Sequence, residues 1–270
     1  MTPAMTARKG QQTGARTGLH TGPHKGAHTG PRYVARQAQD AGDVMRAQAL
    51  RALSFGRAGL DCDAFDASCL HYLVEDRRIG ALVCCYRIMP LTGATIARSY
   101  SAQFYDLTRL AVYPGPVVEI GRFCTHPDAQ DPDILRAAWA ALTGYVDANG
   151  VALLFGCSSF QGVAHEPYAD TFAVLGARHR APEAWLPGIK ATEVVGLAGP
   201  VRPDLRRASA AMPPLLRTYL LMGGWVSDHA VVDRVMNTLH VFTGLEVAAI
   251  PEARKRLLRA DAYAGAREAP

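Results

Sequence analysis

Residues 117–124 read Val-Val-Glu-Ile-Gly-Arg-Phe-Cys, and this octet decides how the chain is understood. It has the apolar density of a strand buried on both faces, yet Glu119 and Arg122 interrupt it. A charge removed from water is costly unless it is paired or put to use. The octet is therefore either a scaffold strand with a structural ion pair or the floor of an active site. Strand alternation sends residues three apart to opposite faces, so these two are not expected to pair with each other without a bulge. Gly121 between them marks a place for a bulge or a close ligand approach.

Working outward, the loop 125–133 (THPDAQDPD) leads into a helix over about 134–148, and Val151–Cys157 is a second buried strand. Upstream, His71–Glu75 and Ile79–Met89 form two strands around the turn Asp76-Arg77-Arg78. Residues 32–38 alternate like a strand, and Asp40 is placed to cap a helix running to about Ser54. Residues 100–110 carry no clear period. Further on, 167–176 look helical and 182–200 are punctuated by Pro and Gly with short strands. Then come a helix (LLRTYLLMG, 215–223), strand-like segments AVVDRV and LHVFTGLEV, and a closing helix from Pro251 to about Ala262. This order predicts an α/β (α+β) fold with a mixed central sheet flanked by helices.

The first 31 residues stand apart. Gly10, Gly14, Gly18, Gly22, Gly26 and Gly30 recur every fourth position in units such as GLHT and GAHT. Too little is apolar there to build a core, so a disordered tail is expected. Residues 1–36 hold six basic and no acidic residues, leaving 23 basic against 24 acidic in the rest. The net charge of +5 thus belongs to the tail. No apolar run nears the roughly 18–20 residues of a membrane span, and the N-terminus has no apolar stretch of the signal-peptide kind. The six cysteines lack zinc-type spacing and read as reduced thiols. Neither GxxxxGK[ST] nor a strand-linked GxGxxG occurs, so nucleotide cofactors lack a phosphate cradle. No metal, no cofactor and no nucleic-acid partner is expected.

Three constellations remain. Asp61, Asp63 and Asp66 crowd a loop beside Leu60, Phe65 and Leu70. They form a solvated turn or a site for a substrate cation; a calcium loop lacks its glycine and distal glutamate. Glu119 and Arg122 form the second. Cys157, at a strand end with His126, His165 and His240 elsewhere, invites a Cys–His hydrolase, but its apolar flanks favour a buried thiol and no GxSxG elbow is present.

The motifs Leu50–Phe55, Asp61-x-Asp63-x-Phe65-Asp66, His71–Val74, Tyr86–Met89, Glu119–Cys124, His126–Asp128, Gly156–Gly162, Pro213–Leu220 and Asn237–Val241 occur in that order. Over roughly residues 33–250 the chain resembles the ornithine–acyl-carrier-protein N-acyltransferases of bacterial ornithine-lipid synthesis, within the GNAT-like acyltransferases. It departs from them at Cys69-Leu70-His71 (Cys-Asp-His in the family), in the acidic turn 129–133 and at Thr238-Leu239. The resemblance implies a GNAT-like core over 32–200 with a C-terminal extension over 201–270. It implies transfer of a 3-hydroxyacyl chain from acyl carrier protein to the α-amine of L-ornithine, with the phosphopantetheine thioester as donor and no resident cofactor. Glu119 is the implied base, and Arg122 organises the acidic loop or takes the substrate carboxylate, as does Arg87. Asp63 and Asp66 would take the ornithine ammonium, with Asp61 and His71 at the same site. The basic clusters Arg202/Arg206/Arg207 and Arg254/Lys255/Arg256/Arg259 are candidates for carrier docking. A cytoplasmic enzyme touching the inner leaflet is expected. The E-x-x-R-F motif is shared with acyl-homoserine-lactone synthases, which use S-adenosylmethionine; a non-catalytic acyl-carrier or lipid-binding module is the other alternative.

Overall fold

The computed structural model describes residues 31–266, so the repeat tail lies outside the described residues. Asp40 caps the first helix as its position requires, its side chain accepting the Asp43 N–H at 2.8 Å. In chain order the elements are β1 (Tyr33–Gln37), α1 (Ala41–Ser54), β2 (Leu70–Asp76), β3 (Ala81–Thr92), β4 (Tyr105–Asp106), β5 (Pro116–Thr125), α2 (Pro132–Asn149) and β6 (Leu153–Gln161). They continue with α3 (Ala169–Arg178), β7 (Gly188–Ile189), β8 (Val194–Gly196), α4 (Leu205–Ala211), α5 (Pro214–Leu221), β9 (Trp225–Asp233), β10 (Thr238–Glu246) and α6 (Glu252–Ala266). The segment 93–113, which includes the stretch 100–110 without a clear period, is a series of 3-10 turns around the short strand β4.

Eight strands form one mixed sheet in the order β1-β2-β3-β5-β6-β10-β9-β8. Only β5 and β6 run parallel; the other neighbours are antiparallel. Residues 201–270 therefore do more than pack against a core, since β9 and β10 are inner strands of the sheet itself. One face carries α2, α5 and α6 over Tyr86, Ile88, Val118 and Ile120, with α3 and α4 over Phe160, Leu239 and Val241. The other face carries α1 over Cys85 and Cys124 and the 3-10 segment over Met89, Val117, Phe155 and Phe242.

Two irregularities shape the centre. First, β5 and β6 are in register only at Val117↔Leu153, Val118↔Leu154 and Glu119↔Phe155, after which β6 follows β10 alone. The sheet opens there into a fork. Second, β5 gains one residue against β3: Cys124 faces Cys85 and Gly121 faces Arg87, leaving two residues opposite Tyr86. This is a β-bulge, and Arg122 within it has φ 53°. Phe123 then stacks on Tyr86 at 5.2 Å on the α2 face.

Candidate active site

Glu119 stands on β5 at the point where the fork opens, and only 5% of it is exposed. Its Oε1 accepts the Ser101 N–H at 2.7 Å and the Ser101 hydroxyl at 2.6 Å, and its Oε2 accepts the Tyr100 N–H at 2.7 Å. It thereby caps the 3-10 turn Ser101–Gln103. One lone pair on Oε2 is left over. Burial pushes the Glu119 carboxyl above its ordinary range, and the Ser101 and Tyr100 donors only partly oppose it.

Alternation over 117–124 predicts Glu119 and Arg122 on opposite faces, and the structure corrects this. The extra residue of the bulge restores Arg122 to the α1 face, where its guanidinium lies 5.0 Å over the ring of Tyr100. The two charged groups share one cleft, and no ion pair between them occurs among the described residues.

The acidic loop is drawn into a knot of matched charges. Arg51 of α1, 1% exposed, donates Nε to Asp61 at 2.8 Å and Nη1 to Asp66 at 2.8 Å. Arg87 of β3 grips both oxygens of Asp63 at 2.6 and 2.8 Å and also bonds Asp66. Arg122 donates Nη2 to Asp63 at 3.0 Å, while its Nε lies 3.1 Å from Asp61 without hydrogen-bond alignment. Gln48 and Arg57 add bonds to Asp66 and Asp61. Four arginines thus surround three aspartates. For Asp63 and Asp66 burial acts to raise the pKa, but the arginine hydrogen bonds outweigh it and both carboxyls are held low. His71 stands behind this knot rather than in the cleft, with Nε2 3.1 Å from the Asp66 carbonyl oxygen, and burial lowers its pKa.

The fork opens into a cleft of about 870 Å³ that reaches through the sheet. On the α1 side its walls are polar: Arg87, Tyr100, Glu119, Arg122, Asp233 and His240. On the α5 side they are largely apolar: Ile120, Phe123, Phe160, Leu215, Leu216 and Tyr219. The β6-facing main chain of β5 beyond Glu119 has no strand partner. Such an edge accepts an extended chain by main-chain hydrogen bonding.

Cys157 lines the cleft with its thiol 3.4 Å from Ser101 Oγ. Burial drives that thiol far above its usual range, and none of His126, His165 or His240 hydrogen-bonds to it. The thiol is half-buried at the cleft wall rather than sealed in the core, and it is not an activated nucleophile.

Several residues of the cleft wall and of the shell behind it escaped sequence reading. Arg51 hides on an amphipathic helix beside Ala47 and Leu50, and its one signal is a charge on the apolar stripe. Tyr100 and Ser101 reach Glu119 through main-chain N–H groups, which no motif records. His240, named from the sequence only as a possible base for Cys157, is 2% exposed with an unpartnered Nε2, and burial lowers its pKa to about 4.

Comparison with known proteins adds the following. Residues 45–140 match the acetyltransferase (GNAT) domain family. An L-ornithine N(alpha)-acyltransferase of Rhodobacter capsulatus is 32% identical over 241 residues, covering 83% of this chain and 93% of that protein. A protein of the same description from Rhizobium meliloti is 29% identical over 241 residues, covering 80% of each. Among solved structures, an N-acyl amino acid synthase from uncultured soil microbes superposes with a TM-score of 0.47 at 12% identity, covering 81% of this chain and 93% of that one.

Proposed function

The chain belongs to the L-ornithine N(alpha)-acyltransferase family and has the GNAT fold, and on that premise we propose that it acylates the α-amine of L-ornithine from an acyl carrier protein thioester, yielding a lyso-ornithine lipid. One observation carries the reading: the β5–β6 fork with Glu119 at its apex, polar on one side of the sheet and apolar on the other. The pantetheine arm lies along the unpaired edge of β5 as an added strand. Its acyl chain extends toward Leu215, Leu216 and Tyr219, and the amino acid enters from the side of Arg122 and Tyr100.

Chemistry follows from these positions. The α-amine arrives as an ammonium and attacks only when neutral. Glu119 takes its proton through the open lone pair of Oε2, directly or through water, and a pKa raised by burial suits that task. Nitrogen bonds to the thioester carbon, main-chain N–H groups at the fork stabilise the oxyanion, and the C–S bond breaks. Of the two protons the nitrogen sheds in becoming an amide, one goes to the departing thiolate and one to solvent.

The acidic loop takes a positioning role in this reading. Asp61, Asp63 and Asp66 are already balanced by Arg51, Arg87 and Arg122, so they fix Arg122 at the cleft wall instead of meeting a substrate cation. Nη1 of Arg122 bonds no carboxylate among the described residues and is placed to take the substrate α-carboxylate.

Purified protein given 3-hydroxyacyl carrier protein with labelled ornithine or S-adenosylmethionine tests the reading. Lyso-ornithine lipid is the expected product. An acyl-homoserine lactone, or binding without thiol release, would overturn it.

A further inference from the structure

The sequence placed the acceptor's ammonium on a loop that proves to be charge-balanced, which leaves the substrate cation without a partner. The cleft walls contain two carboxylates, Glu119 and Asp233, among the described residues. Glu119 is held by three donors, and its remaining lone pair is assigned to the reacting amine. Asp233 is different. It ends β9, is 6% exposed, and makes no ion pair with any described arginine, lysine or histidine. Its Oδ1 accepts the N–H groups of Val235 and Met236 at 3.0 and 2.9 Å, tying the β9–β10 turn. Its Oδ2 has no partner and is not sealed from solvent.

Register places Asp233 on the sheet face that carries Glu119. Asp233 faces Thr238 and Val231 faces His240, so Asp233 shares a sheet face with His240, whose Nε2 is also unpartnered. Phe242, on the same face of β10, is opposite Cys157. Burial is the main cause that lifts the Cys157 thiol, and the charges of both Glu119 and Asp233 add to it, which puts all three groups in one neighbourhood. Asn237, in the same turn, holds φ 52° and lines the cleft, as does Arg122 with φ 53°. Among the described residues these are the two non-glycine positions with positive φ, a backbone cost that concentrates at functional sites.

We infer that Asp233 Oδ2 binds the side-chain ammonium of the acceptor amino acid and so sets the enzyme's preference for a diamino acid. The inference rests on the acyl-transfer reading above. The acceptor is then held at three points: its α-carboxylate on Arg122, its α-amine at Glu119 and its distal ammonium on Asp233. An uncompensated carboxylate in a nearly closed wall favours a cationic ligand over an apolar one of the same length, because only the cation replaces the lost hydration.

The test compares ornithine with norvaline, which has the same carbon chain without the terminal amine, using an acyl carrier protein donor. Wild-type protein is expected to prefer ornithine in kcat/KM. Asp233→Asn keeps the Oδ1 acceptor for Val235 and Met236, so the turn and the melting temperature are expected to hold. In this variant the ornithine-to-norvaline ratio should fall by about 10- to 100-fold, mostly through the ornithine KM. A ratio equal to that of wild type in folded Asp233→Asn overturns the assignment. If that variant does not fold, wild type alone decides, because equal kcat/KM for the two amino acids overturns it as well. Failure of wild type to acylate ornithine at all removes the acyl-transfer reading and the assignment together, a result distinct from either of these.

Discussion

Gly156 and Ile120 meet main chain to main chain where the sheet divides: a Cβ on Gly156 would stand 2.2 Å from the Ile120 carbonyl oxygen. No L-residue other than glycine fits there without moving a strand. The contact pins β5 to β6 one residue beyond the Glu119↔Phe155 pair, so it sets where the fork begins.

Gly156→Ala is therefore expected to wedge the two strands apart at the apex. Overpacking of this kind costs about 1–3 kcal/mol. Thermal melts should show the loss, and kcat should fall more than KM because the strain acts beside Glu119. Wild-type kcat in the folded variant would show that the apex geometry is not required.

Glu119→Gln removes the base and also sets an amide N–H₂ against donors from Tyr100 and Ser101. Turnover should drop by about 10²–10⁴-fold. In wild type, kcat should rise with pH through the raised Glu119 pKa, since only the carboxylate accepts a proton. Stability should move the other way. A carboxyl whose folded pKa is raised contributes stability below its unfolded value, and loses it as pH climbs through the folded one. A pH–rate profile and melts over the same range check both signs. Near wild-type turnover of Glu119→Gln at neutral and at high pH would remove the base role.

Arg51→Gln leaves Asp61 and Asp66 short of a partner in a site with 1% exposure for Arg51. Breaking a buried pair on one side costs about 3–5 kcal/mol. Arg57, Arg87 and Arg122 remain, so a loss of about 3 kcal/mol, roughly 6–12 °C in Tm, is expected. The low Asp66 pKa gives wild-type stability that is complete above the ordinary carboxylate range and lost as pH falls through the folded value. Melts between neutral and acidic pH should show that loss in wild type and a shallower one in Arg51→Gln.

Charge reversal at Arg202 and Arg206 addresses the donor. Both are exposed, Arg202 just before α4 and Arg206 in its first turn, and Pro213 and Pro214, where α5 begins, line the cleft. If the acidic carrier docks there, the double variant should raise the carrier-thioester KM about tenfold and leave the ornithine KM alone. The same change on Arg254 and Arg256 of α6 is the control, since α6 packs against α2 away from the fork. No described helix is long and apolar enough to cross a membrane; co-sedimentation with anionic vesicles tests the expected surface contact.

Much of the scaffold was legible because its signals are local. The Asp40 cap, the β2–β3 hairpin and the buried runs of β5 and β6 are each written in adjacent residues. Helix α4 and the 3-10 turns were not, being short and lacking a repeat. The site was half legible. Charge in an apolar strand pointed to Glu119 and Arg122, and clustered aspartates to the loop. What those aspartates touch depended on Arg51, ten and fifteen positions before Asp61 and Asp66 on the preceding helix, and on Arg87 across the sheet. Asp233 read only as part of the strand-like segment AVVDRV, because its place in the cleft wall exists only once β9 and β10 join β6.

The bulge at Gly121–Arg122 makes the site depend on counting as well as on chemistry. With the extra residue, β5 delivers Glu119, Arg122 and Cys124 to one side. Pair the strand regularly with every residue kept and the parity beyond Gly121 reverses: Arg122 would be aimed at the stacked rings of Tyr72 and Tyr86, and Phe123 would turn toward the aspartates. Every side chain would still be present and still of the right kind. The constellation is thus encoded partly in register, and the same residues in a regular ladder would not hold it.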